Sequence, residues 1–210
     1  LFSCKYFIFN TLIAAKNNFS GFIIFQFTAM INNRNVLIVL GPECELEAMT
    51  LRSSLEFFGF NIMLKIITRP QNFMELLTID RDIDNARYII FCFHGIKGKF
   101  RFTKLAKHRY EKGELKLDIG VMRLRKGFQL KRQVVICTGC ELGFKNMAEI
   151  FLKANAACYI GSISEGVDED SALMFTTRFF YHLARGTALK TAFLRAKKTD
   201  SQTSSFVLYD

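Results

Sequence analysis

Short, unbroken apolar runs alternate with stretches of helically spaced apolar residues along most of this chain. Residues 35–40 read Asn-Val-Leu-Ile-Val-Leu and end at Gly41-Pro42, the pattern of a parallel strand buried on both faces. Residues 45–58 carry Leu46, Met49, Leu51, Leu55 and Phe58 at roughly helical spacing, and Gly59 stops the helix. A second strand is expected over 61–68, closed by Arg69-Pro70, and a short helix over 71–77. A third strand over 87–93 runs into His94-Gly95. The stretch that follows is harder to read, with 115–121 expected as an extended hairpin arm. Beyond it come a strand over 133–137, a helix over 145–156 and a strand over 157–163. A long amphipathic helix over 168–184 carries Leu173, Phe175, Phe179, Phe180 and Leu183. A helix over 188–198 and a closing strand over 205–209 complete the pattern. Strands alternating with helices predict an α/β domain with a mainly parallel sheet.

Composition sets the class without changing that picture. The 210 residues include 23 Phe and only two Pro, which fits one ordinary domain with a full core and excludes a disordered or low-complexity chain. The folded domain is expected to begin near Met30, with residues 34–210 as the domain proper. Residues 1–33 read as a leader or appended segment. Residues 6–15, after Lys5 and with Ala14-Ala15 at their end, resemble the apolar stretch of a signal peptide. They fall short of the about 20 residues a membrane helix needs. The six cysteines lie mostly inside apolar runs, as reduced, buried thiols do, and point to the cytoplasm rather than to a disulfide framework.

Net charge is +10, and thirteen of the Lys and Arg fall between Lys97 and Arg132, against Glu111, Glu114 and Asp118. A solvated basic insertion is the expected explanation. Nucleic acid is the competing one, weakened because only Phe100, Phe102, Tyr110 and Phe128 interleave the charges.

Candidate chemistry sits at two strand ends. In an open parallel sheet, ligands bind beyond the carboxyl ends of the strands, and both His94 and Cys140 fall there. A cysteine and a histidine so placed can cooperate in acyl transfer. Gly139 and Gly143 let the chain turn tightly around Cys140. The backbone N–H groups of Gly95 and Cys140 are candidates for an oxyanion hole. His108, in the basic stretch, and His182, in the long helix, are weaker candidates. Cys137 and Cys140 form a C-x-x-C, but Cys137 belongs to the strand, and no second pair completes a zinc set, so neither redox nor metal chemistry is expected. The acidic residues Glu165, Asp168, Glu169 and Asp170 follow the fifth main strand. Asp168 reads as a helix N-cap with Glu169 and Asp170 in the first turn, and the same group reads as a pocket for an Arg or Lys of a substrate.

Val-Val-Ile-Cys-Thr-Gly-Cys-Glu-Leu-Gly over 134–143 resembles the segment around the nucleophile of caspase-like peptidases of the CHAT (caspase, HetF-associated) and separase type, and Ile-Ile-Phe-Cys-Phe-His-Gly over 89–95 resembles their histidine segment. Residues 157–172, with Met174-Phe175 and Phe179-Phe180-Tyr181, resemble the family's strand, acidic loop and helix. Ala188-Leu-Lys-Thr-Ala192 is similar to its next helix, and Phe206–Tyr209 to its closing strand. The resemblance covers residues 34–210. It departs at Ser164, where the family carries a tryptophan, and in the absence of the helical repeats that often precede such domains.

The resemblance implies a caspase-like three-layer αβα sandwich and peptide-bond hydrolysis. Cys140 would form a thioester and His94 would protonate the leaving amine. Asp168 or Glu165 matches a position tied to cleavage after basic residues in some relatives. With Asp170 these are the candidate substrate-binding residues, and cleavage after Arg or Lys is expected. No cofactor and no metal are expected. The expected partner is a protein or peptide substrate, with room for an activating protein, and no membrane. The competing readings are an inactive interaction domain of the same fold and, behind it, a nucleic-acid-binding domain.

Overall fold

The computed structural model describes residues 33–125 and 127–210. The expectations for the N-terminal leader lie outside these residues. Arg34–Asp210 forms one compact unit.

The central sheet holds six strands. These are β1 (Asn35–Leu40), β2 (Asn61–Ile66), β3 (Tyr88–Cys92), β7 (Val134–Cys137), β8 (Cys158–Ser162) and β9 (Phe206–Tyr209). Their order is β2-β1-β3-β7-β8-β9. The first five are parallel, and β9 closes one edge antiparallel to β8. Helices cover both faces. On one side lie α1 (Glu45–Phe57), α6 (Glu169–Ala184) and α7 (Leu189–Ala196), and on the other α2 (Pro70–Thr78) and α5 (Lys145–Lys153). The architecture is the expected α/β three-layer sandwich with a mainly parallel sheet.

Strand periodicity divides the core between the layers, because successive side chains point to opposite faces. From β1, Leu37 and Val39 join the α2–α5 side, while Val36, Ile38 and Leu40 join the α1–α6 side. The same alternation sends Ile89 and Phe91 one way and Ile90 and Cys92 the other. Burial on both faces is what an unbroken apolar run requires.

The helix after β1 corrects one detail. Leu46 and Met49, expected on the apolar stripe, are 83% and 50% exposed. The buried face is Glu47, Ala48, Leu51 and Leu55. Counting back from Leu51 in steps of three or four reaches Ala48 or Glu47, then Cys44, so the stripe includes a carboxylate.

The basic stretch corrects another. The short helix α3 (Asp82–Asn85) precedes β3, and after His94 come β4 (Gly95–Ile96) and β5 (Lys99–Phe100). Then β6 (Ile119–Gly120) leads into the single turn α4 (Val121–Leu124). The three strands form a small antiparallel sheet in the order β4-β5-β6. Of the hairpin arm expected over 115–121, only Ile119–Gly120 is strand, the third of that sheet, and Val121 already begins α4. Phe100 and Phe102 are buried and ring Phe73 with Phe91 and Phe93, at centroid separations of 4.8–6.0 Å. They hold the basic excursion to the core and are not a stacking platform for bases. The helix expected over 145–156 ends at Lys153, where Asn155 takes a positive φ of 70°.

Among the described residues, no helix is long and apolar enough to cross a membrane.

Candidate active site

The order β2-β1-β3 reverses the direction of sheet growth at β1. A crevice therefore opens beyond the carboxyl ends of β1 and β3, where ligands of open parallel sheets bind. His94 stands at this crevice, two residues after β3 and immediately before β4. Its carbonyl accepts the Arg101 N–H at 3.0 Å, which ties the small sheet to the end of β3. Its side chain is partly buried and lines a cavity of about 460 Å³ together with Pro42, Glu43, Arg101, Lys104 and Asp118.

Cys140 follows the neighbouring strand. Thr138 continues from β7 by donating its N–H to the Phe91 carbonyl at 3.1 Å. Gly139 then turns, and its two neighbouring segments leave it no room. A Cβ on Gly139 would lie 2.1 Å from the Phe93 carbonyl oxygen, and one on Gly95 would lie 1.8 Å from the Cys140 carbonyl oxygen. The His94-Gly95 and Gly139-Cys140 main chains are thus in direct contact. Glu141 adopts a positive φ of 56°, and its carboxylate accepts the Lys97 N–H at 2.5 Å. The two strand ends are joined there a second time.

The Cys140 thiol is partly buried and faces the loop after β8. Its Sγ accepts the Val167 N–H at 3.3 Å and lies 3.7 Å from the Val167 carbonyl. The Glu141 N–H donates to the Ser164 carbonyl at 3.0 Å, so the same loop is anchored on both sides of the thiol. Among the described residues, the Cys140 N–H meets no acceptor. No hydrogen bond joins His94 to Cys140 among these residues, although their main chains touch. The two are brought to adjacent positions without being paired.

The acidic residues are all exposed on this loop and the first turn of α6. Asp168 occupies the N-cap position, as expected, but its carboxylate makes no capping bond. It accepts instead from the Gln202 side-chain amide, while its own N–H donates to Gln202 Oε1 at 2.6 Å. Glu169 and Asp170 lie in the first helical turn, where carboxylates are favoured. Glu165 lies two residues before and Asp170 three residues after Val167, whose main chain meets the thiol. The cavity beside His94 is lined by other residues.

Of the other cysteines, Cys44, Cys92, Cys137 and Cys158 are buried free thiols. Burial pushes Cys137 and Cys158 up to about 12. Cys137 receives a hydrogen bond from Tyr159 Oη at 3.1 Å, and the same hydroxyl reaches the Leu142 carbonyl at 2.7 Å. Cys137 is therefore turned into the core and away from the Cys140 turn. His182 is partly buried near the end of α6.

A group the sequence reading passed over lies beneath both strand ends. Glu47 is 8% exposed, and burial raises its carboxyl from the usual 4.5 to about 7. A hydrogen bond from Thr138 opposes that rise, and Glu169 adds to it. Thr138 Oγ1 lies 3.2 Å from Glu47 Oε2 and 3.3 Å from the Phe91 carbonyl, while Glu47 Oε1 has no partner. Cys44, one turn before Glu47, is pushed up to about 12 by burial and by the Glu47 charge, against a hydrogen bond from the His94 backbone N–H. Cys92 is raised by burial and then by Glu47. The signal was present in the sequence: Glu47 sits three residues after Cys44 and four before Leu51, on the buried stripe.

No family profile matches this chain, and no curated protein matches it. Among solved structures, it is similar to a flavodoxin from Streptococcus pneumoniae TIGR4, at 11% identity and a TM-score of 0.38 over 75% of this chain and 98% of that one.

Proposed function

We propose that this chain is a caspase-like cysteine endopeptidase of the CHAT or separase type, acting in the cytoplasm on peptide bonds after Arg or Lys. The observation that carries the reading is the contact between the His94-Gly95 and Gly139-Cys140 main chains at the ends of adjacent parallel strands. In the proposed reaction, His94 takes the Cys140 thiol proton as the sulfur adds to the substrate carbonyl. It then gives that proton to the leaving amine, and a thioester remains for water to hydrolyse. The Cys140 N–H, which has no acceptor among the described residues, is one donor for the developing oxyanion, and Gly95 supplies the other. The loop against the thiol offers Glu165 and Asp170 to a basic side chain. Asp168 is already engaged by Gln202. The buried, unpaired thiols suit a reducing compartment.

The unmade His94–Cys140 hydrogen bond favours a second reading, an inactive interaction domain of the same fold. Catalytic hydrogen bonds are often long before substrate binds, and substrate or an activating protein would have to close this one. Paired fluorogenic peptides with Arg, Lys or Asp before the cleaved bond separate the readings. Cleavage after Arg or Lys, lost in Cys140→Ala and in His94→Ala, is the expected result. Cleavage only after Asp would keep the peptidase and remove the acidic pocket. No turnover, with or without candidate partner proteins, would favour the interaction domain.

A further inference from the structure

We infer that Glu47 is the positioning residue of this site, holding the Cys140 turn through Thr138. The inference rests on the proposed role of Cys140 as the reacting group. Glu47 belongs to α1, outside both segments that carry the dyad.

The hydrogen bonds beneath the site have two arrangements. The Thr138 hydroxyl has one proton and faces two acceptors, Glu47 Oε2 at 3.2 Å and the Phe91 carbonyl at 3.3 Å. When Glu47 is protonated, its proton goes to Thr138 Oγ1, and the Thr138 proton goes on to Phe91. The three groups then form a one-way chain with every donor used. When Glu47 is ionised, the Thr138 proton swings to the carboxylate, and Phe91 keeps only the Thr138 N–H. Oε1 then faces no donor at all. A buried carboxylate in that condition is costly, and the turn that holds Cys140 is anchored differently in each state.

Burial and the Glu169 carboxylate favour the neutral arrangement, and the Thr138 hydroxyl opposes it. Cys44 lies one turn before Glu47, at the N-cap of the same helix. Cys92 faces Glu47 from β3, Thr138 from the end of β7, and the Glu169 carboxylate acts on it from α6. Among the described residues, the groups acting on the Glu47 carboxyl are a hydroxyl and a carboxylate, with no cation among them.

The test is the rate of Cys140 alkylation by iodoacetamide in the full chain, read by peptide mass spectrometry between about pH 5 and 8. Wild type is expected to show, beside the general rise of thiol alkylation with pH, a second step from Glu47. The second should change the rate by about twofold or more. Glu47→Gln keeps the shape, removes the charge and should abolish the second step. Thr138→Val, which cuts the connection to the turn, should abolish it too and carries the test should Glu47→Gln not fold. Profiles that superimpose across wild type and the folded variants would overturn the inference, since a merely structural Glu47 shifts stability and leaves the profile alone. Hydrolysis is measured separately. Wild type showing the second step but no peptide turnover would sustain the coupling and remove only the peptidase reading.

Discussion

Gly95→Ala should damage this protein far more than an exposed glycine-to-alanine change ordinarily does. The added Cβ would lie 1.8 Å from the Cys140 carbonyl oxygen, 2.9 Å from its carbonyl carbon and 2.9 Å from Leu142 Cγ. A relaxed carbon–oxygen contact needs about 3.3 Å, so the two turns must part by roughly 1.5 Å. The atom in the way is main chain, which no rotamer change can move aside. Overpacking of this kind costs about 1–3 kcal/mol, and here the upper end is expected. For a domain of this size that is a fall in Tm of about 6–12 °C. Parting the turns also separates His94 from Cys140, and a displacement of about 1 Å at a reacting centre can cost about 100-fold in rate. Gly166→Ala is the matched control, because its Cβ would meet nothing within 4 Å. Thermal unfolding and peptide hydrolysis are measured on both. If Gly95→Ala unfolds within about 0.5 kcal/mol of wild type, as surface substitutions do, the close approach of the two turns is wrong, and with it the main support for the dyad.

Three further outcomes follow from buried groups. The Glu47 carboxyl is raised in the fold, to about 7 from 4.5. Its contribution is therefore fully favourable below about pH 4.5, and stability is lost as pH rises towards 7, by about 3 kcal/mol in all. Urea unfolding of Glu47→Gln across that range should show the slope removed, and an unchanged slope would place the titration elsewhere. Tyr159→Phe leaves the Leu142 carbonyl without its 2.7 Å partner and should cost about 1–3 kcal/mol in the same assay. Phe73→Ala empties the centre of the ring cluster around Phe91, Phe93, Phe100 and Phe102 and should cost about 3–5 kcal/mol. Hydrogen exchange should then show the β4–β6 sheet losing protection first, since Phe100 and Phe102 attach it to the core.

The parts of the fold that were legible in sequence are those where one physical demand acts alone. β1 is buried on both faces, so it must be apolar throughout, and residues 35–40 are read without ambiguity. α6 must bury one stripe, and Phe175, Phe179 and Phe180 mark it. α1 was misread because its stripe includes Glu47 and omits Leu46 and Met49. Hydrophobicity alone follows the exposed residues when a functional or polar group sits in the core. The basic excursion was opaque because its few apolar residues meet the core from two-residue strands and irregular backbone, which leave no period to detect. The placement of His94 and Cys140 just beyond strand ends was readable because strand ends are visible in sequence. That their main chains touch, and that a third segment lies beneath them, depends on the order in which the strands assemble.

The pairing of β3 directly with β7 has a consequence for how the molecule is held together. The 41 residues between them can be counted from Cys92 and Val134, yet the strands at either end are neighbours, and β5 pairs with β6 across the same interval. The exposed turn Lys107–Arg109 lies in the middle. Cutting the chain there would produce one fragment carrying β1 to β5 and His94, and another carrying β6 to β9 and Cys140. Each would still be paired to the other through two sheets and the ring contact of Phe91 with Phe151. The molecule is in this sense two interlocked halves on one thread, with one member of the proposed dyad on each. Non-covalent pairing, more than chain continuity, keeps histidine and cysteine together.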